Sequence, residues 1–237
     1  MEAEASLCKS PFDALREIIE NLAERSETIW TILRFDEKML ALNFFSNSIV
    51  LAIHFNETSD AITNPIKVIG FLSQLVEDGT DPGVSLAHSL IMKKVDSASL
   101  TRSYRTYEDI PQMLDFVTME VKLGMDFMFE LDRLRNRNVM EIYGNRIIFM
   151  VRTSDINSGI ILKLTMEIKP FAEINSNDIT ISCILGSDKV RENDIKRLIT
   201  SIKRDHSFLR FYINDVKDYV DLMAETGFSA SSGTGCD

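Results

Sequence analysis

Apolar and polar positions along the chain describe the same run of elements twice. Ser10 and Pro11 open a helix over Pro11–Glu24, a hydroxyl side chain suited to the N-cap followed by a proline suited to the first turn. Leu15, Ile18, Ile19 and Leu22 recur there at helical spacing. Three strand-length runs follow the polar break at Glu24–Glu27: Thr28–Phe35, Lys38–Phe45 and Ser48–Phe55, with turns predicted at Asp36-Glu37 and Ser46-Asn47. Leu40, Leu42 and Phe44 fall on one face of the second run. Period-two alternation puts Ile49, Leu51, Ile53 and Phe55 on one face of the third. A polar loop (Glu57–Pro65), a candidate fourth strand (Ile66–Leu72), a turn-rich linker (Val76–Gly83) and a helical stretch (Ser85–Val95) complete the first set.

The second set begins with a long helical pattern, Ile110–Arg135. Met113, Phe116, Val117, Val121, Leu123, Phe127, Met128, Leu131 and Leu134 cover an arc of roughly 200°, opposite Asp115, Lys122, Asp126 and Arg133. A stripe that wide predicts burial against more than one surface, so this helix is expected to close the first domain, open the second and join them rigidly. Asn138–Tyr143, Arg146–Arg152 and Ile160–Ile168 then repeat the meander, with Gly144-Asn145 as a two-residue hairpin turn. Ile160, Leu162, Leu164, Met166 and Ile168 alternate inward. Ile179–Leu185 supplies the fourth strand, with Ile179, Ile181, Cys183 and Leu185 on one face. Lys189–Arg204 is amphipathic through Ile195, Leu198, Ile199 and Ile202, and Phe208–Met223 is a last helix. Gly227–Asp237, rich in glycine and serine, predicts disorder. Corresponding elements recur at an offset of about 110 residues, too long for a solenoid repeat and suited to two fused copies of a small domain. Helices segregated on one face of an antiparallel sheet make the predicted fold class α+β.

Catalytic vocabulary is sparse. The sequence has no GxxxxGK[ST], GxGxxG, HExxH or GxSxG pattern. Its three histidines, His54, His88 and His206, lie in different elements, and His54 alternates outward from its strand. Cys8, Cys183 and Cys236 are far apart and odd in number, which suggests neither a disulfide framework nor a zinc cluster and fits a reducing compartment. Cys183 reads as a small core hydrophobe, and Asp36-Glu37 and Asp78–Asp81 read as turn chemistry. No catalytic residue, cofactor or metal is therefore expected. Neither a bilayer-length apolar run nor a signal peptide is apparent. A net charge of −10 disfavours nucleic acid as a partner and is compatible with a basic partner or with solubility alone.

Three features stand above this background. Met39, Ala41, Val50 and Ala52 give the first meander an apolar outer face, which is either a contact surface or covered by the Asn56–Pro65 loop. Lys189, Arg191, Lys196, Arg197, Lys203, Arg204 and Arg210 form a basic cluster, either a solvated face or a dock for an anionic partner. Arg133, Arg135 and Arg137 crowd a helix C-terminus, where cations are favoured by the dipole and could also receive acidic side chains.

Helix, four-strand meander and two helices is the order of an RWD domain. "IWTILRFDEKMLALNFFSNSIVLAIHF" (Ile29–Phe55), "SLAHSLIMKKV", "DIPQMLDFVTMEVKLGMDFMFELDRL" and the second meander resemble the C-terminal tandem RWD region of the kinetochore-null (blinkin) outer-kinetochore scaffold family. The resemblance covers roughly Pro11–Val220 and rests on the order of weak signals, not on one motif. It implies a first RWD domain over residues 11–136, a second over 108–224 with the long helix shared, and flexible tails at 1–10 and 225–237. It also implies a non-catalytic module that anchors the scaffold to the Mis-twelve complex in the nucleus, at the centromere. The expected partners are an extended tail of a Mis-twelve subunit and other outer-kinetochore subunits, without nucleic acid or membrane. An adaptor for ubiquitin or SUMO ligase machinery is the alternative, while a conjugating enzyme is disfavoured by the positions of the cysteines. The expected partner surface is Leu131, Arg133, Leu134, Arg135 and Arg137 at the end of the shared helix, continuing along the edge strand through Val139, Glu141 and Tyr143, in a cleft between the units.

Overall fold

The computed structural model describes residues 10–45, 48–56, 64–75, 80–154 and 159–231, with the backbone alone for 227–231. The chain is α+β, with two four-stranded antiparallel sheets and several helices. It divides into two compact units, residues 1–80 with 91–122 and residues 81–90 with 123–237.

In the first unit, α1 (Pro11–Ala23) starts as its sequence predicts. Ser10 Oγ accepts a hydrogen bond from the Asp13 N–H, and Pro11 stands in the first turn. Its buried stripe is narrow, Leu15 and Ile19, and Ile18 is 44% exposed instead of facing inward. The sheet runs in chain order, β1 (Trp30–Phe35), β2 (Met39–Phe44), β3 (Ile49–Phe55) and β4 (Ile66–Ser73). The predicted inner-face residues of β2 and β3 are all buried. A bulge between Ile32 and Arg34 shifts the β1 register and leaves Leu33 exposed. Asp36 Oδ1 closes the β1–β2 turn by accepting from the N–H groups of Lys38 and Met39, so its carboxylate serves the turn. The Ser46-Asn47 turn and most of the predicted 57–65 loop and 76–83 linker lie outside the described residues. Phe12 meets Phe35, Phe55 and Tyr107 edge-on at 5.5–5.9 Å, which seats α1 on the sheet.

A short helix, α3 (Ser97–Ser103), was not legible in the sequence pattern. It begins on Asp96, whose carboxylate caps the Ser99 N–H. It lies along β4, where the Ile69 and Phe71 N–H groups donate to Thr101 Oγ1 (3.0 Å) and Ser97 Oγ (2.8 Å). Side-chain hydroxyls thus occupy an edge that would otherwise present free donors.

The second unit includes the start of α2 (Pro82–Lys94) and the sheet β5 (Val139–Tyr143), β6 (Arg146–Arg152), β7 (Ile161–Glu167) and β8 (Ile179–Leu185), again in chain order. Ile160, Leu162, Leu164, Met166 and Ile168 are all fully buried, as their alternation predicts. They share one core with Ile147, Phe149 and Val151 of β6, Ile195 of α5 (Glu192–Leu198), and Phe208, Leu209, Tyr212, Val216 and Val220 of α6 (Phe208–Ser231). β8 leaves that core at its end: Cys183 is half-buried and Leu185 is 52% exposed, where a uniform inner face was expected. The expected Lys189–Arg204 helix shrinks to α5 and a 3-10 turn, because Thr200 Oγ1 and Ser201 Oγ donate back to the Arg197 and Leu198 carbonyls and compete with the helical pattern. α6, by contrast, outruns the prediction. Ala224 packs into the core and no proline follows, so the backbone stays helical through Ser231 where a flexible tail was expected. Residues 1–9 and 232–237 of the expected tails lie outside the described residues.

One continuous helix, α4 (Ile110–Arg135), contributes its first half to the first unit and its second half to the second. Its buried positions differ from the expected set: Leu114, Gly124 and Glu130 are buried, while Phe116, Leu123 and Met128 are only half-buried. At about 100° per residue, Ile110, Met113, Leu114, Val117 and Val121 fall within an arc of about 100°. Gly124, Phe127, Glu130, Leu131 and Leu134 fall within about 120°. The wide stripe is therefore two narrower ones in succession, each of ordinary amphipathic width.

The β5–β6 hairpin turns on Gly144 and Asn145. Gly144 has φ +57° while Asn145 does not enter the positive region, a type II′ arrangement with glycine first. A Cβ at Gly144 would meet no atom within 4 Å, so only the backbone conformation resists substitution. Gly144→Ala is expected to cost about 1 kcal/mol, the left-handed penalty alone, measured by urea unfolding.

Candidate functional site

The end of α4 and the strand it leads into carry the most concentrated polar chemistry of the second unit. Leu134 closes the helix: its carbonyl accepts from the Arg137 N–H (3.1 Å), the Asn138 N–H (2.9 Å) and Asn138 Nδ2 (2.9 Å). This bend sets Arg133, Leu134, Arg137 and Asn138 around a recess of about 200 Å³. α6 completes the lining with Arg210, Asn214 and Lys217, spaced i, i+4, i+7 on one helix face. Lys217 Nζ donates to Asn138 Oδ1 at 2.6 Å and ties the two sides together.

Glu130 also lines the recess and is 3% exposed. Arg210 Nε lies 3.2 Å from its Oε1, within ion-pair range but not aligned as a hydrogen bond. Arg133 Nη1 lies 3.6 Å from Oε2. A buried carboxylate needs positive charge nearby, and these two guanidinium groups supply it. Arg137, Lys217 and the outward parts of Arg133 and Arg210 leave the recess strongly cationic.

β5 runs on from Asn138 as an edge strand. In a hairpin closed by a two-residue turn, Tyr143↔Arg146, Glu141↔Ile148 and Val139↔Met150 exchange the ladder bonds. That leaves the N–H and C=O groups of Met140 and Ile142 directed to the free edge, and none of the described hydrogen bonds from outside the sheet reaches them. The contrast with β4, whose edge donors are taken by α3, is direct.

The predicted contact residues separate into three groups. Arg133, Leu134 and Arg137 line the recess, and Val139 (68% exposed), Glu141 and Tyr143 (81% exposed) stand on the outer face of β5. Leu131 is fully buried in the core and is a packing residue, not a contact residue, a correction that follows from its place on the inner stripe of α4. Arg135 does not line the recess: its Nη1 and Nη2 donate to Asp81 at 2.8 and 3.3 Å. That guanidinium holds the Asp81 carboxyl below its usual range, and the Gly83 N–H bonds to the same group. Glu130, Asn138, Asn214 and Lys217 were not singled out from the sequence; the i, i+4, i+7 spacing in α6 is the signal that could have found two of them.

The broader basic cluster does not survive as one surface. Arg204 donates to the Ile174 and Ile202 carbonyls, Lys203 pairs with Asp205, and Arg210 turns to Glu130. On the outer face of the first sheet, Ala41 is buried and Met39, Val50 and Ala52 are half-buried; the loop expected to cover them lies mostly outside the described residues. Burial pushes the Cys183 thiol up, and its Sγ lies 3.1 Å from the Leu185 carbonyl oxygen. Among the described residues, no cluster of three or more His, Cys, Asp or Glu side chains is placed to hold a metal ion, and no helix is long and apolar enough to cross a membrane. Compared with known proteins, the chain matches no protein family and no curated protein.

Proposed function

We propose that this chain is a non-catalytic protein-interaction module, two tandem RWD domains that anchor an outer-kinetochore scaffold to the Mis-twelve complex at the centromere. The observation that carries the reading is the open β5 edge running directly into a cationic recess. An extended acidic peptide would satisfy both at once. Its backbone would add a strand beside Met140 and Ile142, and its carboxylates would enter among Arg133, Arg137 and Lys217. The kinetochore assignment comes from the resemblance of Ile29–Phe55 and the later segments to the blinkin scaffold family, and the two-sheet α+β architecture is compatible with it.

Calorimetric titration with purified Mis-twelve complex tests this. Arg137→Glu is expected to weaken binding by about 1–3 kcal/mol, the range for charged hydrogen bonds desolvated in an interface. The Arg137 side chain is exposed in the free chain and outside the Glu130 ion pairs, so the melting temperature should barely move. A wild-type chain that does not bind the complex sinks the kinetochore assignment. Capture of a ubiquitin- or SUMO-ligase subunit in its place would move the module to that machinery.

A further inference from the structure

The recess at the end of α4 holds more positive charge than a peptide carboxylate would use. Arg133, Arg137, Arg210 and Lys217 face a single carboxylate, Glu130. Three positive charges are left over at neutral pH (four cations less one carboxylate), in a chain whose net charge is −10. Like charges gathered in so small a space repel one another, and a bound anion relieves that repulsion. An aspartate or glutamate brings one negative charge and two acceptor oxygens. A phosphate monoester brings close to two charges and three strong acceptors, and guanidinium forks match it well.

The site is also prearranged. Arg210 meets Glu130 through Nε, which leaves its two Nη groups outside that pair, and Arg133 meets the same carboxylate through one Nη. Glu130 therefore holds two guanidinium groups in place without neutralising the recess. Asn138 is fixed by the Leu134 carbonyl and Lys217, and Asn214 adds an amide.

We infer that this recess binds a phosphate monoester, carried as a phosphorylated serine or threonine on the docked peptide, so that phosphorylation of the partner strengthens docking. The identity of the carrier rests on the peptide-docking reading above; the affinity of the recess for the ester does not. A nucleic-acid backbone offers only one charge per phosphate and would meet an acidic protein elsewhere.

The test uses the intact, nitrogen-15-labelled chain and two small probes, N-acetyl-O-phosphoserine methylamide and N-acetyl-aspartate methylamide, followed by NMR. At pH 7.5 the phosphoserine probe is expected to shift the amide signals of Asn138 and Asn214 and to bind about tenfold tighter than the aspartate probe. Its advantage should shrink at pH 5.5, below the second phosphate ionisation near 6. Arg137→Ala, which leaves the Glu130 ion pairs and the Lys217–Asn138 bond in place, should weaken it about fivefold or more at unchanged melting temperature. Equal affinity for the two probes, shifts confined to other residues, or equal competition by a short single-stranded oligonucleotide would overturn the inference. A chain that binds the ester but not the Mis-twelve complex loses the docking reading and keeps the recess; the opposite result loses the recess alone.

Discussion

Phe127→Ala is expected to destabilise the second unit by about 3–5 kcal/mol, the cost of removing a buried aromatic ring and leaving a cavity. Phe127 is fully buried, with Phe171 and Phe208 ring centroids at 5.0 and 6.2 Å. The aromatic triad joins α4, the turn at Phe171–Glu173 and the start of α6, so one truncation removes packing from three segments. Urea unfolding followed by far-UV circular dichroism measures the loss. Leu123→Asp should cost less than its place in the sequence pattern suggests, because Leu123 is only half-buried. If Leu123→Asp proves more damaging than Phe127→Ala, the assignment of the buried stripe on α4 is wrong.

Acid should weaken the fold well before its carboxylates protonate. His88 in α2 is 2% exposed, and burial depresses its pKa from 6.5 to about 4. The folded chain therefore keeps this imidazole neutral while the unfolded chain takes up a proton below pH 6.5. The stabilisation is fully present above the unfolded pKa and is lost as pH falls through the window from 6.5 to 4. Linkage puts the loss at about 2 kcal/mol between pH 7 and pH 5. Asp36, Asp81, Asp96, Asp109 and Asp205 are held below the usual carboxyl value by hydrogen bonds and neighbouring cations, so their contributions fall away at lower pH and do not overlap most of this window. Unfolding curves at pH 7, 6 and 5 for the wild-type chain and for His88→Asn give the comparison. The variant should be less sensitive to pH over that range, and equal slopes would show that His88 is not the group responsible.

Most of the architecture was determined by the sequence itself. All eight strands lie within two residues of the predicted bounds at each end, because period-two alternation with one buried face allows a single register, and Gly144 selects the tight hairpin turn that only glycine enters without strain. β6 and β8 match the predicted bounds outright. The first turn of α1 and the full span of α4 were equally local in origin, set by caps and a sustained 3.6-residue period. What escaped was whatever depended on a distant partner. α3 is too short and polar to announce itself and is placed by hydroxyl bonds to β4, 26 and 32 residues away. Arg133, Arg135 and Arg137 look alike in the sequence, yet Asp81, 54 residues from Arg135, claims that guanidinium while its two neighbours remain at the recess. Glu130 interrupts an apolar stripe, and Arg133 one turn on meets only one of its oxygens. The other finds its cation once α6, some 80 residues later, brings Arg210 against it. Periodicity records which face of an element is buried; only the tertiary structure decides what that face, and each charge beside it, will meet.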